Sequence, residues 1–94
     1  MTEIKHHNNE KNGEFEIYYE GEKAGKMTYT WAGEDKFIID HTEVDPKFGG
    51  QGLAKQLVLA GAAYAKENNK KVIPLCPYAK SVFEKNQNIQ DVLS

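Results

Sequence analysis

A mixed α+β fold is predicted by a change of period part-way along the chain. Between residues 14 and 44 apolar and polar side chains alternate, the pattern of half-buried strands. From residue 50 the apolar residues recur three and four apart, as on one face of a helix. Between the two regimes stands Gly49-Gly50-Gln51-Gly52, and beyond the helix a short apolar run ends at Cys76-Pro77. The architecture expected is an antiparallel β-meander, a helix, a strand parallel to the last of the meander and a C-terminal helix, in one α/β mixed sheet.

Glu14–Tyr19 is a β-prone run and Glu20-Gly21-Glu22-Lys23 a turn, which together predict a hairpin. From Ala24 to Trp31, Met27, Tyr29 and Trp31 alternate with Lys26, Thr28 and Thr30; Tyr18, Tyr19, Tyr29 and Trp31 are expected to fill the core and the sheet faces. Ala32-Gly33-Glu34-Asp35 turns the chain again, and Lys36 to Val44 forms the third strand. The main helix is predicted from Gly50 to about Asn68, with Leu53, Leu57, Ala60 and Tyr64 on one stripe and many alanines in support. Lys71 to Cys76 reads as a strand reached by a right-handed crossover. Pro77 suits the first position of a second helix, Tyr78 to about Asn86, with Ala79, Val82 and Phe83 on one face. Residues 88–94 suggest no element beyond the apolar pair Val92 and Leu93. Residues 1–13 are polar and expected to be frayed, with His6 and His7 solvated rather than holding a metal.

The chain has 94 residues, enough for one domain with one modest core, residues 1–94. A formal net charge of -2 lacks the basic excess expected of a nucleic-acid or anionic-membrane binder, and no apolar run suits a secretion signal or a membrane span. The single cysteine, Cys76, cannot form an internal disulfide or a Cys-rich metal cluster, which points to a cytoplasmic protein without metal.

The glycine segment leaves main-chain N–H groups uncovered just where they become the unpaired donors of a helix N-terminus, so it can cradle a diphosphate. A bare flexible turn has the same composition. The chain continues Leu53-Ala54-Lys55, which fits neither a dinucleotide fingerprint nor a P-loop.

In its order of elements and in two motifs the chain resembles the GNAT acetyltransferase superfamily over residues 14–86, and within it the small single-domain proteins. The family's cofactor loop reads Gln/Arg-x-x-Gly-x-Gly/Ala; Gly52 and Ala54 match, Val44 and Pro46 stand upstream as in the family, and Gly49 replaces the Gln or Arg. After the next strand many members have Asn-x-x-Ala and an aromatic four residues on; here Cys76, Ala79 and Phe83 take those places, so the tyrosine that commonly serves as general acid is replaced.

The resemblance implies a truncated GNAT-like fold that binds acetyl-CoA as cosubstrate and acetylates an amine, as a monomer or weak homodimer. It implies cofactor contacts at Val44, Gly49, Gly50, Gln51, Gly52, Leu53, Ala54, Lys55, Cys76, Tyr78 and Lys80. It also implies that pantetheine enters beside Val44, between the third strand and the next, with the thioester near Cys76. With Pro77 first in its helix, Cys76 becomes the N-cap, where the helix dipole favours thiolate and an acetyl-cysteine intermediate is chemically reasonable; an inert core cysteine is the other reading. His41 is the candidate proton acceptor and Glu43 the second. Simple alternation puts His41 and Glu43 on one face, an arrangement that a bulge would alter. A CoA-binding module with little turnover and a small protein-interaction domain are the alternative functions.

Overall fold

The computed structural model describes residues Met1–Ser94. Five strands, β1 (Thr2–Asn8), β2 (Asn12–Tyr19), β3 (Glu22–Trp31), β4 (Lys36–Val44) and β5 (Lys71–Pro74), lie in the order β1-β2-β3-β4-β5. Neighbours are antiparallel except β4 and β5, which are parallel and joined through helix α1 (Leu53–Glu67). Helix α2 (Pro77–Lys85) follows β5, and a 3-10 segment, Gln87–Val92, closes the chain. The expected α+β architecture with its mixed sheet is the one observed.

All the helices pack on one face of the sheet. Phe15, Ile17, Met27, Tyr29, Phe37 and Ile39 are buried on that face, while Glu14, Glu16, Lys26, Thr28 and Thr30, which alternate with them, are half-buried or exposed on the other. From the helix side Leu57, Val58, Ala79 and Phe83 complete the core. Each large apolar side chain sealed this way contributes about 1.5–3 kcal/mol.

The N-terminal segment departs from expectation. Thr2–Asn8 is no frayed tail but an edge strand in full antiparallel register with β2, from Thr2 opposite Tyr19 to Asn8 opposite Gly13. His6 fixes it. Its ring stacks on Phe15 at 4.0 Å between centroids, meets Tyr64 of α1 edge-on at 4.5 Å, and its Nε2 lies 2.5 Å from the Tyr29 hydroxyl. The C-terminus is likewise built in: Val92 is buried, Leu93 bridges to Val72, and the Ser94 N–H donates to the Val72 carbonyl at 3.0 Å.

Two boundaries differ for backbone reasons. Helix α1 starts at Leu53 rather than Gly50, because Gly50 (φ 82°) and Gly52 (φ 72°) are left-handed and cannot join a right-handed helix. Strand β5 ends at Pro74 rather than Cys76, since the next two N–H groups, of Leu75 and Cys76, both turn to the Ile39 carbonyl at 3.1 Å.

Candidate functional site

Strand β4 carries a bulge that organises the site. Thr28 pairs with His41 but Tyr29 pairs with Ile39, so Asp40 is the extra residue. Before it Phe37 and Ile39 face the helices. After it the phase is reversed: Thr42, opposite buried Met27, and Val44, opposite Gly25, take the helix face, and His41 and Glu43 are exposed on the other. The two do share a face, as alternation requires, but the bulge has turned that face away from the core.

Beyond Ile39 strand β4 loses its β5 neighbour, because the parallel register stops at Ile39 opposite Pro74. A seam opens there, with β4 running on to Val44 on one side and the chain turning into α2 on the other. Cys76 sits at the turn as N-cap of α2 with extended backbone (φ −65°, ψ 123°), and Pro77 is the first helical residue. Cys76 is only 7% exposed. Burial pushes the thiol pKa up, but the Ala79 N–H, the Thr42 hydroxyl and the N–H groups of Tyr78 and Thr42 face the sulfur and hold it, on balance, below the ordinary thiol value. Thr42 Oγ1 is itself buried without an aligned hydrogen-bond partner. Its influence on the sulfur is therefore that of a nearby dipole rather than of a well-formed bond.

The glycine loop is fixed from upstream. Asp45 Oδ1 accepts from the Lys47 N–H at 2.9 Å, capping the 3-10 turn Pro46–Phe48, and the Asp45 N–H donates to the Ala24 carbonyl at 2.8 Å. The Gly49 N–H is used, donating to the Pro46 carbonyl at 3.1 Å. From Gly50 through Gln51, Gly52, Leu53 and Ala54 to Lys55 the N–H groups have no partner; the next bond runs from the Gln56 N–H to the Gly52 carbonyl at 3.2 Å. With the left-handed Gly52 as N-cap and no capping side chain, these donors stand open at the positive end of α1.

Lys55 and Tyr78 line one cavity of about 240 Å³ between α1 and α2, which brings the two helix N-termini together. Lys80 is exposed on α2 and outside that cavity, and Lys47 is engaged by Glu22 at 3.0 Å. Tyr78 (41% exposed) and Leu75 (65%) flank Cys76 as an apolar rim. Phe83, in the place of the family's tyrosine, is sealed in the core. The structure thus gathers the glycine loop, Lys55, Tyr78 and Cys76, and sets His41 and Glu43 across β4 from the thiol. Sequence reasoning missed Thr42, whose inward turn depends on the bulge, and Leu75.

The family model for GCN5-related N-acetyl-transferases matches residues 14–92. No curated protein sequence matches the chain. Among solved structures, a GCN5-like protein from Staphylococcus aureus determined by NMR is 36% identical, with a TM-score of 0.74 over 98% of this chain and 87% of that one. The ribosomal-protein-alanine N-acetyltransferase of Brucella melitensis (18% identity, TM-score 0.68) matches 82% of this chain, and a GNAT family acetyltransferase from Elizabethkingia anophelis with acetyl-CoA bound (18%, 0.64) matches 80%. The chain spans 62% and 52% of the length of those two, which share its fold. With four-fifths of the sequence matched by one family model and a relative above 30% identity along nearly its whole length, the chain belongs to the GCN5-related N-acetyltransferase family.

Proposed function

We propose that this protein is an acetyl-CoA-dependent N-acetyltransferase, working as one domain over residues 1–94, that passes the acetyl group to an amine through a thioester on Cys76. One juxtaposition carries the reading: the open N–H groups from Gly50 to Lys55 at the start of α1, and the polarised thiol of Cys76 at the start of α2, on the two sides of the seam between β4 and β5.

In this reading the N–H groups of Gly50, Gln51, Gly52, Leu53 and Ala54 hold the diphosphate, with the Lys55 and Lys80 ammonium groups beside it and Gly49 giving backbone shape alone. The pantetheine arm follows the free edge of β4 near Val44 and passes Tyr78. The Cys76 thiol loses its proton and Sγ bonds to the acetyl carbon while the cofactor's carbon–sulfur bond breaks; the departing sulfur takes a proton and leaves as free thiol. The N–H groups of Tyr78 and Ala79 favour the thiolate that begins this step and is regenerated when the amine takes the acetyl group. His41, with Glu43 beyond it, accepts a proton from the amine on the other face. The unpaired cysteine is in keeping with a reducing, cytoplasmic setting.

Incubation with acetyl-CoA and no amine should add one acetyl group to the protein, labile to hydroxylamine and absent from Cys76→Ala, as read by intact mass spectrometry. Amine acetylation at full rate in Cys76→Ala would establish direct transfer instead. Phe83 favours a second reading: with an apolar, buried ring where relatives have a hydroxyl, the protein would bind acetyl-CoA with little turnover. Steady-state CoA release with a panel of amines separates the two.

A further inference from the structure

The face of the sheet that carries no helices is not flat. A groove of about 570 Å³ lies where the β1–β2 hairpin meets β3 and β4. Asn8, Asn12, Glu14, Thr28, Thr30 and Asp40 supply its polar walls. The volume falls in the range of roughly 300–1,000 Å³ usual for small-molecule sites.

We propose that this groove is the acceptor site, and that it takes a small protonated amine that also carries hydroxyl groups, such as an amino sugar. The inference rests on the acetyltransferase reading above and names its substrate class.

Charge comes first. Two carboxylates, Glu14 and Asp40, line the groove and no lysine or arginine does. The Lys23 ammonium is 3.8 Å from Glu14 but 2.6 Å from Glu16, so Glu16 holds most of its charge. His7, on the rim, is likewise turned to Glu16 at 2.9 Å. An ammonium group entering the groove is attracted and a carboxylate repelled.

Neutral hydrogen-bonding groups make up most of the remaining wall. Tyr29 is the one apolar residue bordering the groove, but its ring is buried on the helix face, where its hydroxyl meets His6 Nε2 at 2.5 Å and takes a bond from Asn8 Nδ2 at 3.4 Å. The hairpin is held in shape by the Asn9 carboxamide oxygen, which accepts from the N–H groups of Lys11 (2.8 Å) and Asn12 (3.0 Å). Thr30 Oγ1 donates to Asp40 Oδ2 at 2.7 Å, fixing that carboxylate. A hydrocarbon ligand finds almost nothing to pack on here, whereas a polyhydroxylated one is matched by amides and hydroxyls.

Position supplies the link to the chemistry. Asp40 is the bulged residue next to Ile39, whose carbonyl accepts the Cys76 N–H, and Thr28 is the register partner of His41. The groove therefore ends at Thr28 and Asp40, next to His41 along β4 and beside the opening of the seam. An ammonium held at Asp40 gives one proton to His41, and the amine reaches the Cys76 thioester, which lies on the helix side of β4, through the open seam beyond Ile39. The freed amine nitrogen then bonds to the acetyl carbon as the carbon–sulfur bond to Cys76 breaks, and its second proton passes to the departing thiolate.

The test is titration of the full chain by NMR with glucosamine, with glucose and 1,5-diaminopentane as controls. Glucosamine should shift the Thr28, Thr30 and Asp40 amide signals saturably and bind at least about fivefold more tightly than either control. Asp40→Asn keeps an acceptor for Thr30 while removing the charge; it and Glu14→Gln should each raise the dissociation constant about 5- to 10-fold and leave acetyl-CoA affinity by calorimetry unchanged. Shifts confined to other surfaces, or wild-type glucosamine affinity in both variants, would overturn the assignment. Failure of the wild type to bind acetyl-CoA overturns the acetyltransferase reading and the acceptor role with it, wherever the amine binds.

Discussion

The Cys76 N–H donates to the Ile39 carbonyl across 3.1 Å, the last main-chain bond between β4 and the turn that leads from β5 into α2. Because Ile39 is also the residue before the bulge, one peptide unit both ends the parallel pairing and begins the reversal of β4. The thiol, the inward Thr42 and the open seam are consequences of that single place in the backbone.

Thr42→Val should make the Cys76 thiol less acidic. The hydroxyl is among the groups that lower the thiol pKa, and valine keeps the shape without the dipole. Alkylation by iodoacetamide at neutral pH should slow about 3- to 10-fold, with its pH midpoint moved upward. Stability should hold or rise, because a buried hydroxyl without an aligned partner is removed. An unmoved midpoint would assign the whole effect to the main-chain N–H groups of Thr42, Tyr78 and Ala79.

Gly52→Ala should fold, since a Cβ there meets nothing within 4 Å, but φ of 72° imposes a left-handed strain of about 1–2 kcal/mol. Calorimetry should show weaker acetyl-CoA binding than in wild type, and salt should weaken the wild-type affinity. Unchanged affinity in a folded variant would rule out the diphosphate cradle. Gly52→Val is the harsher form of the same test.

At Gly13 space, not φ, is limiting. A Cβ there would lie 2.3 Å from Tyr29 Cζ, a rigid ring whose hydroxyl also meets His6. Gly13→Ala should therefore destabilise the fold by about 1–3 kcal/mol in urea titration. Loss of amide protection in β1 should accompany it.

Acidification should loosen β1. Burial, and then the charge of His7, lower the His6 pKa below 6.5 in the folded chain, so the unfolded chain binds the proton more readily. The stability due to neutral His6 is complete above about pH 6.5 and is lost as pH falls through that value toward the folded pKa. Glu16, its pKa lowered chiefly by Lys23, loses its contribution only at lower pH, as the pH falls through its folded value. The melting temperature should drop between pH 7.5 and 5.5, and less so in His6→Phe, in which no proton can be taken up.

The strands from Glu14 to Val44, the glycine loop, both helices and the N-cap position of Cys76 were legible because each rests on local rules: a period of two or of 3.6, a helix-starting proline, glycines before a helix. Strand β1 was not. Its polar residues give no alternation, and it exists because His6 finds Phe15, Tyr29 and Tyr64, residues from three other elements. The last residues lacked a periodic signal for the same reason: Leu93 and Ser94 pair with Val72, far away in sequence.

By itself, then, the sequence determined the mixed sheet, the glycine loop ahead of α1 and the helix that begins beside Cys76, since each depends on neighbours along the chain. Tertiary structure alone decided which side of β4 each side chain faces. One extra residue at Asp40 reverses the alternation, and nothing in the run Ile38-Ile39-Asp40-His41 marks where the register against β3 must slip. That slip turns Thr42 toward Cys76 and leaves His41 and Asp40 on the open face, because pairing with β3 and packing against α1, rather than local preference, fix the phase of the strand.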